Sequence, residues 1–211
     1  MIEKTGKFYS HPPVWAKPEP SQLYKISSHE RRCQMQYISH YQSPVGDLLL
    51  AADETGLAGL WFEGSKYYAG CLGPEHEEAD TPALKQAKEW LSVYFSGKEP
   101  GFCPPVHLDG TPFQLTVWKT LQKIPYGKTC TYGEIAKEIA VLKGLPQMSP
   151  QAVGGAVGHN QISIIIPCHR VVGTNGSLTG YAGGIEKKLK LLALEKVDTD
   201  KFFIPKKGTA L

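Results

Sequence analysis

No run of 18 or more apolar residues occurs in the 211-residue chain, which excludes a membrane-spanning helix. Residues 1–32 lack an apolar h-region. They carry Lys4, Lys7, Pro12, Pro13, Pro18, Pro20 and Arg31 without a clear period, and read as an extended arm, not as a secretory signal. No CxxC pair occurs. The five cysteines (Cys33, Cys71, Cys103, Cys130 and Cys168) are odd in number and scattered. That argues against a disulfide framework and for free thiols in a reducing compartment. His11, His29, His40, His76 and His107 show no metal-binding spacing, so neither a metal nor any other cofactor is expected.

What the chain does have is 41% hydrophobic and 20% charged residues, enough for one core or two modest ones. The net charge of +3 hides an asymmetry. Residues 1–111 carry 10 Lys/Arg against 14 Asp/Glu, and residues 112–211 carry 13 against 6. A basic C-terminal module that meets a polyanion is the sharper reading of that imbalance; ordinary surface scatter is the bland one. The chain divides accordingly into the arm (1–33), an N-terminal α/β domain (34–105), a C-terminal domain (106–200) and a tail (201–211).

The N-terminal domain alternates as "QMQYISHY", turns at "SPVG", and continues through "DLLLAAD" and "LAGLWFE". This spacing predicts a small antiparallel meander. "GPEHEEAD" reads as an acidic loop. "TPALKQAKEWLSVYFSGK" predicts a helix, with Thr81 as cap, Pro82 in the first turn and Gly97 at the end. Leu84, Ala87, Leu91, Tyr94 and Phe95 form its apolar face. The Pro-rich "EPGFCPPVHLDG" over 99–110 reads as a linker.

The second domain is helical in style. "TPFQLTVWKTLQKI" has a stripe of Phe113, Val117, Leu121 and Ile124. Thr131 and Glu134 form a capping box that starts the next helix near Tyr132. "SPQAVGGAVGHN" starts another, with Ser149 as cap and Pro150 first. Two short helices joined by a turn in the basic half suggest a helix-turn-helix. The second is nearly all Ala, Gly and Val, although each Gly costs a helix interior about 1 kcal/mol. Close helix packing and close approach to a nucleic-acid groove both account for it. "GGIEKKLKLLALEK" predicts an amphipathic helix, with Ile185, Leu189 and Leu192 on one side and lysines on the other.

Between these lies "ISIIIPCHRVVG" (162–173). A cysteine in an apolar run is usually a small core residue. Here Pro167 removes a backbone donor, and His169 and Arg170 are groups a buried strand must satisfy. A neighbouring histidine and a cationic setting lower a thiol pKa and make a nucleophile. The residues alone point to a reactive cysteine in a basic domain, with a cysteine hydrolase as the first rival.

"IIIPCHRVVG", preceded by "AVGGAVGHN" and followed by "GSLTGYAGG", resembles the O6-alkylguanine-DNA alkyltransferases. The resemblance runs from about Gln34 to Glu195 and is strongest from Tyr132 onward. It implies an α+β fold: a ribonuclease-H-like sheet-and-helix domain followed by a winged helix-turn-helix DNA-binding domain. It implies DNA repair by direct reversal, a single-turnover transfer of an alkyl group from O6-alkylguanine, or O4-alkylthymine, to Cys168. The alkylated base is flipped out of double-stranded DNA with little sequence preference. A monomer in the cytoplasm, or in the nucleus of a eukaryote, follows, with no cofactor and no membrane.

By the same resemblance, His169 takes the thiol proton through a water, Glu195 orients His169, Tyr132 protonates the leaving base, and Asn160 ties the helix-turn-helix to the active-site turn. Tyr181, Ala182, Gly183, Arg170 and Val171 border the substrate. Thr131, Gln151, Ala152, Gly154, Gly155 and Lys188 meet the DNA. The chain departs from the family pattern at three places. Gln151 stands where an arginine usually fills the flipped base's place, a few extra residues lie around "VLKGLPQMS", and Ala182 replaces a serine found in some relatives. Some relatives hold a structural zinc; Cys33 has no partner cysteine near Asp53.

Overall fold

The computed structural model describes residues 35–205; the arm expected over 1–33, Cys33, and the tail beyond 205 lie outside the described residues. Four strands form one sheet in the order β3-β2-β1-β4. These are β1 (Gln36–Ser43), β2 (Gly46–Ala52), β3 (Leu57–Phe62) and β4 (His76–Glu78). The meander is present: β1 pairs antiparallel with β2, and β2 with β3. The sheet is nevertheless mixed, not purely antiparallel, because β4 runs parallel to β1. β4 lies in the stretch read as an acidic loop. Its three residues are all exposed, so no hydrophobic alternation announces it.

Helix α1 (Pro82–Phe95) starts where the cap predicts, with Thr81 accepting from the Leu84 N–H. It lays Leu84, Ala87, Trp90, Leu91 and Tyr94 toward the core. The second half contains α2 (Pro112–Leu121), α3 (Tyr132–Leu142) and α4 (Pro150–Gly158), followed by α5 (Ile185–Leu194). Both sides of the Thr131/Glu134 capping box are made, and Ser149 caps α4. Helices α2, α3 and α4 pack around Trp118, which is fully buried and donates its indole N–H to the Ala156 carbonyl at 2.9 Å. A short parallel ribbon, β5 (Cys130–Thr131) with β6 (Val171–Val172), stands beside them.

One hydrophobic core runs through both halves, from Leu48, Leu60 and Tyr94 to Trp118, Ile139 and Leu191. Two stitches line the outer edge of β3, and the second fixes the halves together. The Leu57 N–H donates to the Pro105 carbonyl and the His107 N–H to the Leu57 carbonyl, each at 2.8 Å. Farther along, the Leu60 N–H donates to the Gln161 carbonyl and the Ser163 N–H to the Leu60 carbonyl, each at 2.9 Å. The stretch read as a linker is therefore an extra edge segment at residues 105–107, locked further by the ion pair of His107 with Asp53. At the C-terminal end, the part of the tail within the described residues is also tied down. Phe203 bridges to Ser177.

Candidate active site

Helix α4 ends at Gly158, and Asn160 follows two residues later, buried. Its side-chain amide donates to the carbonyls of Ile162 (3.2 Å) and Ile166 (2.9 Å) and to Cys168 Sγ (3.0 Å). Its Oδ1 accepts from the Ile162 N–H at 3.1 Å. This one side chain staples the turn together across Ile164, whose φ of 66° is a left-handed conformation that a β-branched residue avoids. Pro167 then leads into a single 3₁₀ turn, Cys168–Arg170. The buried apolar run predicted for 162–166 is thus not a strand but a stapled turn. It aims the thiol at the side where α3, α4 and the 179–184 loop meet.

Cys168 is 4% exposed. Burial pushes its thiol up, against the Asn160 hydrogen bond and the positive charge of Lys188. At rest it is a thiol and needs a base. His169 is fully buried, and burial holds its imidazole below the ordinary range against the pull of Glu195. Its Nε2 lies 2.7 Å from Glu195 Oε1, while Nδ1 is buried with no hydrogen-bond partner in the protein.

Arg170 holds Glu195 as a fork. Nε donates to Oε2 at 2.8 Å and Nη2 to Oε1 at 2.9 Å, with Nη1 on the Ile124 carbonyl at 2.7 Å. Burial would raise the Glu195 carboxyl, but His169 and Arg170 outweigh it and bring it down to about 2. The bidentate arginine suffices to keep Glu195 ionised while His169 stays neutral. Arg170 is therefore part of the relay's foundation, its guanidinium spent on Glu195 and the Ile124 carbonyl. Val171 is fully buried in β6, and its carbonyl accepts from Lys188 Nζ.

Lys188, expected at the DNA, faces inward. Its ammonium is fully buried and donates to the carbonyls of Val171 and Thr179. Burial lowers it to about 8, opposed by the charge of Cys168. It cannot reach DNA. The apolar side of α5 thus includes a lysine, paired with carbonyls outside its own helix.

Tyr132, the first residue of α3, donates from its hydroxyl to the Thr179 (3.1 Å) and Gly180 (3.4 Å) carbonyls. Burial raises it to about 12, so the phenol keeps its proton. Tyr181 is buried nearby, its ring edge against Phe62. A Cβ on Gly183 would sit 2.8 Å from the Tyr181 ring and 2.9 Å from Phe62. Glycine there makes room for Tyr181. Ala182 is half-buried and its carbonyl accepts from the Lys66 N–H at 3.0 Å, a contact from the first half of the chain.

Gln151, Ala152 and Gly155 lie exposed along one side of α4. A Cβ on Gly155 would meet nothing within 4 Å, whereas one on Gly154 would touch the Tyr132 ring at an ordinary 3.7 Å. Neither glycine is demanded by packing: an alanine at 154 would make an ordinary contact with Tyr132, and one at 155 would meet open space. Thr131 spends its hydroxyl and N–H on Glu134.

Sequence reasoning missed Tyr94. Its hydroxyl, brought by α1, donates to Glu195 Oε1 at 2.8 Å and lies 3.3 Å from His169 Nε2. The only signal was a phenol on an otherwise apolar helix face. The Gly127 N–H, donating to Glu195 Oε2 at 3.0 Å, left no signal at all.

A buried cysteine beside a His–Glu–Arg chain, next to a helix-turn-helix, is the setting of a protein that works on nucleic acid by cysteine chemistry. Comparison with known proteins narrows the class. Residues 36–108 match the family model "6-O-methylguanine DNA methyltransferase, ribonuclease-like domain", and residues 112–197 match its DNA binding domain. A methylated-DNA–protein-cysteine methyltransferase of Methanosarcina acetivorans is 44% identical over 159 residues, 75% of this chain and 97% of that protein. One from Mycobacterium tuberculosis H37Rv is 45% identical over 160 residues, 74% of this chain and 92% of that protein. A crystal structure of Mycobacterium tuberculosis OGT in complex with DNA superposes with a TM-score of 0.64 at 39% identity, covering 80% of this chain and 94% of that one. The chain belongs to the 6-O-methylguanine DNA methyltransferase family, whose activity is alkyl transfer from DNA to a protein cysteine.

Proposed function

We propose that Cys168 is the alkyl acceptor and that the chain repairs O6-alkylguanine in double-stranded DNA, with O4-alkylthymine as a second lesion. The observation that carries this is the stapled, buried Cys168 beside His169, whose other nitrogen is held by the Glu195–Arg170 pair. The alkylated base is flipped out of the stack, since its O6 is shielded there. His169 Nδ1 takes the thiol proton through a bridging water, as its partnerless lone pair allows. The thiolate attacks the alkyl carbon: an S–C bond forms and the O6–C bond breaks. The electron pair of the O6–C bond leaves with guanine, and the Tyr132 hydroxyl donates toward the departing base. Lys188 holds the Val171 and Thr179 carbonyls and places a positive charge near the sulfur. Asn160 keeps the sulfur in register with α4, Tyr181 closes over the base, and the Ala182 and Gly183 backbone borders it.

The thioether product is not cleaved by water, so one molecule repairs one base. Gln151, Ala152, Gly154, Gly155 and Thr131 form the DNA-facing surface of the helix-turn-helix, in contact mainly with the backbone and so with little sequence preference. The chain acts as a monomer in the cytoplasm. No helix among the described residues is long and apolar enough to cross a membrane.

Intact mass after mixing with excess O6-methylguanine duplex is the test. One added methyl, mapped to Cys168 and absent in Cys168→Ala, is expected. Multiple turnover, or loss of the lesion with Cys168→Ala, overturns the reading.

A further inference from the structure

Glu195 is oversubscribed. Oε1 faces the Tyr94 hydroxyl, His169 Nε2 and Arg170 Nη2, while Oε2 faces Arg170 Nε and the Gly127 N–H. A carboxylate offers roughly four lone-pair sites, so these donors compete, and Tyr94 and His169 compete for the same oxygen. Tyr94 comes from the N-terminal sheet-and-helix domain and all the others from the second half of the chain. Its ring is held from several sides: stacked on Trp90 at 5.2 Å, and edge-on to Phe95, Tyr126 and His169. The hydroxyl therefore has little freedom to seek another acceptor.

We infer that Tyr94 is a positioning residue for the alkyl transfer, contributed by the first domain: its hydroxyl takes part of Glu195 Oε1 and so limits the share left to His169. The inference rests on His169 being the base of the proposed reaction. The charged and titratable groups around the pair are Glu195, Arg170, Tyr126 and Tyr181 facing Tyr94, and Glu195, Arg170 and Lys188 facing His169, with Cys168 as its chain neighbour. Of these, only Tyr94 donates to the oxygen that His169 uses while coming from outside the second half of the chain. With the hydroxyl gone, Glu195 binds the imidazole more strongly and the protonated form is favoured. With a more acidic phenol in its place, more of the carboxylate's charge is drawn off and the neutral imidazole is favoured.

The experiment is the pH dependence of single-turnover methyl transfer from O6-methylguanine duplex by three full-length proteins: wild type, Tyr94→Phe, and the protein with 3-fluorotyrosine incorporated at position 94. The low-pH limb should move up by about half a pH unit for Tyr94→Phe, a roughly threefold loss of rate on that limb. It should move down for the fluorinated protein. Histidine ¹⁵N resonances of His169 should titrate with the same opposite displacements. Removal of a merely structural phenol lowers the rate by one factor at every pH. Superimposed limbs, parallel losses, or displacement of both variants in one direction overturn the inference. Failure of the wild type to methylate Cys168 overturns the proposed function instead.

Discussion

Three neighbouring residues with different duties occupy the 3₁₀ turn. Cys168 stood out in the sequence as a candidate nucleophile because a proline, a histidine and an arginine do not suit a buried strand. The duties of its neighbours were less legible. Arg170 and Lys188 look like surface charges in one dimension, yet both are buried, since each has found anionic or carbonyl partners outside its own turn or helix. Burial makes such pairs hard to break: removing one partner strands the other charge, at a cost of about 3 kcal/mol. Glu195→Gln is therefore expected to lower the melting temperature as well as to slow methyl transfer at least tenfold. DNA affinity should stay close to wild type, because Glu195 is buried away from phosphates. Filter binding beside single-turnover kinetics checks both halves; an unchanged transfer rate removes Glu195 from the relay.

Among the elements, helix starts were the most readable feature. Thr81, Thr131 and Ser149 cap the helices that their spacing announced, because a cap is a local hydrogen bond between residues two or three apart. Strand β4 was unreadable, since exposed residues pairing at an edge carry no hydrophobic signal. Helix α4 shows what a composition alone leaves open: Gly154 lies beside the Tyr132 ring, and Gly155 is bare surface. Gln151 begins that bare surface. Its neutral amide can hydrogen-bond an orphaned base but carries no charge. Gln151→Ala should slow repair in duplex several-fold, with less effect on single strands. Gln151→Arg should tighten duplex binding and steepen its salt dependence by about one ion. Equal duplex rates for all three proteins would shift the wedge to the exposed Leu145 in the turn before α4.

For the molecule as a whole, the division into two modules was visible in charge and composition, but their union was not. Stitches along β3 and the shared core depend on backbone edges, which no residue type announces. The His107–Asp53 pair closes one of these stitches and makes it sensitive to pH. A hydrogen bond to Asp53, against burial, raises His107. Burial would raise Asp53, but His107 and the N–H groups of Thr55 and Gly56 hold it down. The raised histidine stabilises fully below about pH 6.5, its ordinary value, and that stabilisation is lost as pH climbs through the raised value. The lowered carboxyl stabilises above about pH 3.9 and loses this contribution on acidification. Melting temperature should thus fall between pH 6 and 9 in wild type and stay flatter in His107→Asn. Identical slopes would remove the pair from the energetics of this edge.

Strand β3 carries "LAGLWF", six buried residues with no charge and no proline. It stands at one end of the sheet, and residues 105–107 and 161–163 cover its outer edge. The opposite end is protected differently, by the brevity and acidity of β4. The second half of the chain therefore acts as an internal chaperone for the first. A fragment ending at residue 108 retains one stitch and loses the one at Leu60, leaving an apolar, charge-free edge open to other copies. Such a fragment should bind thioflavin T and scatter light under conditions where the full chain stays clear. Adding the 112–205 segment in trans before aggregation starts should suppress it.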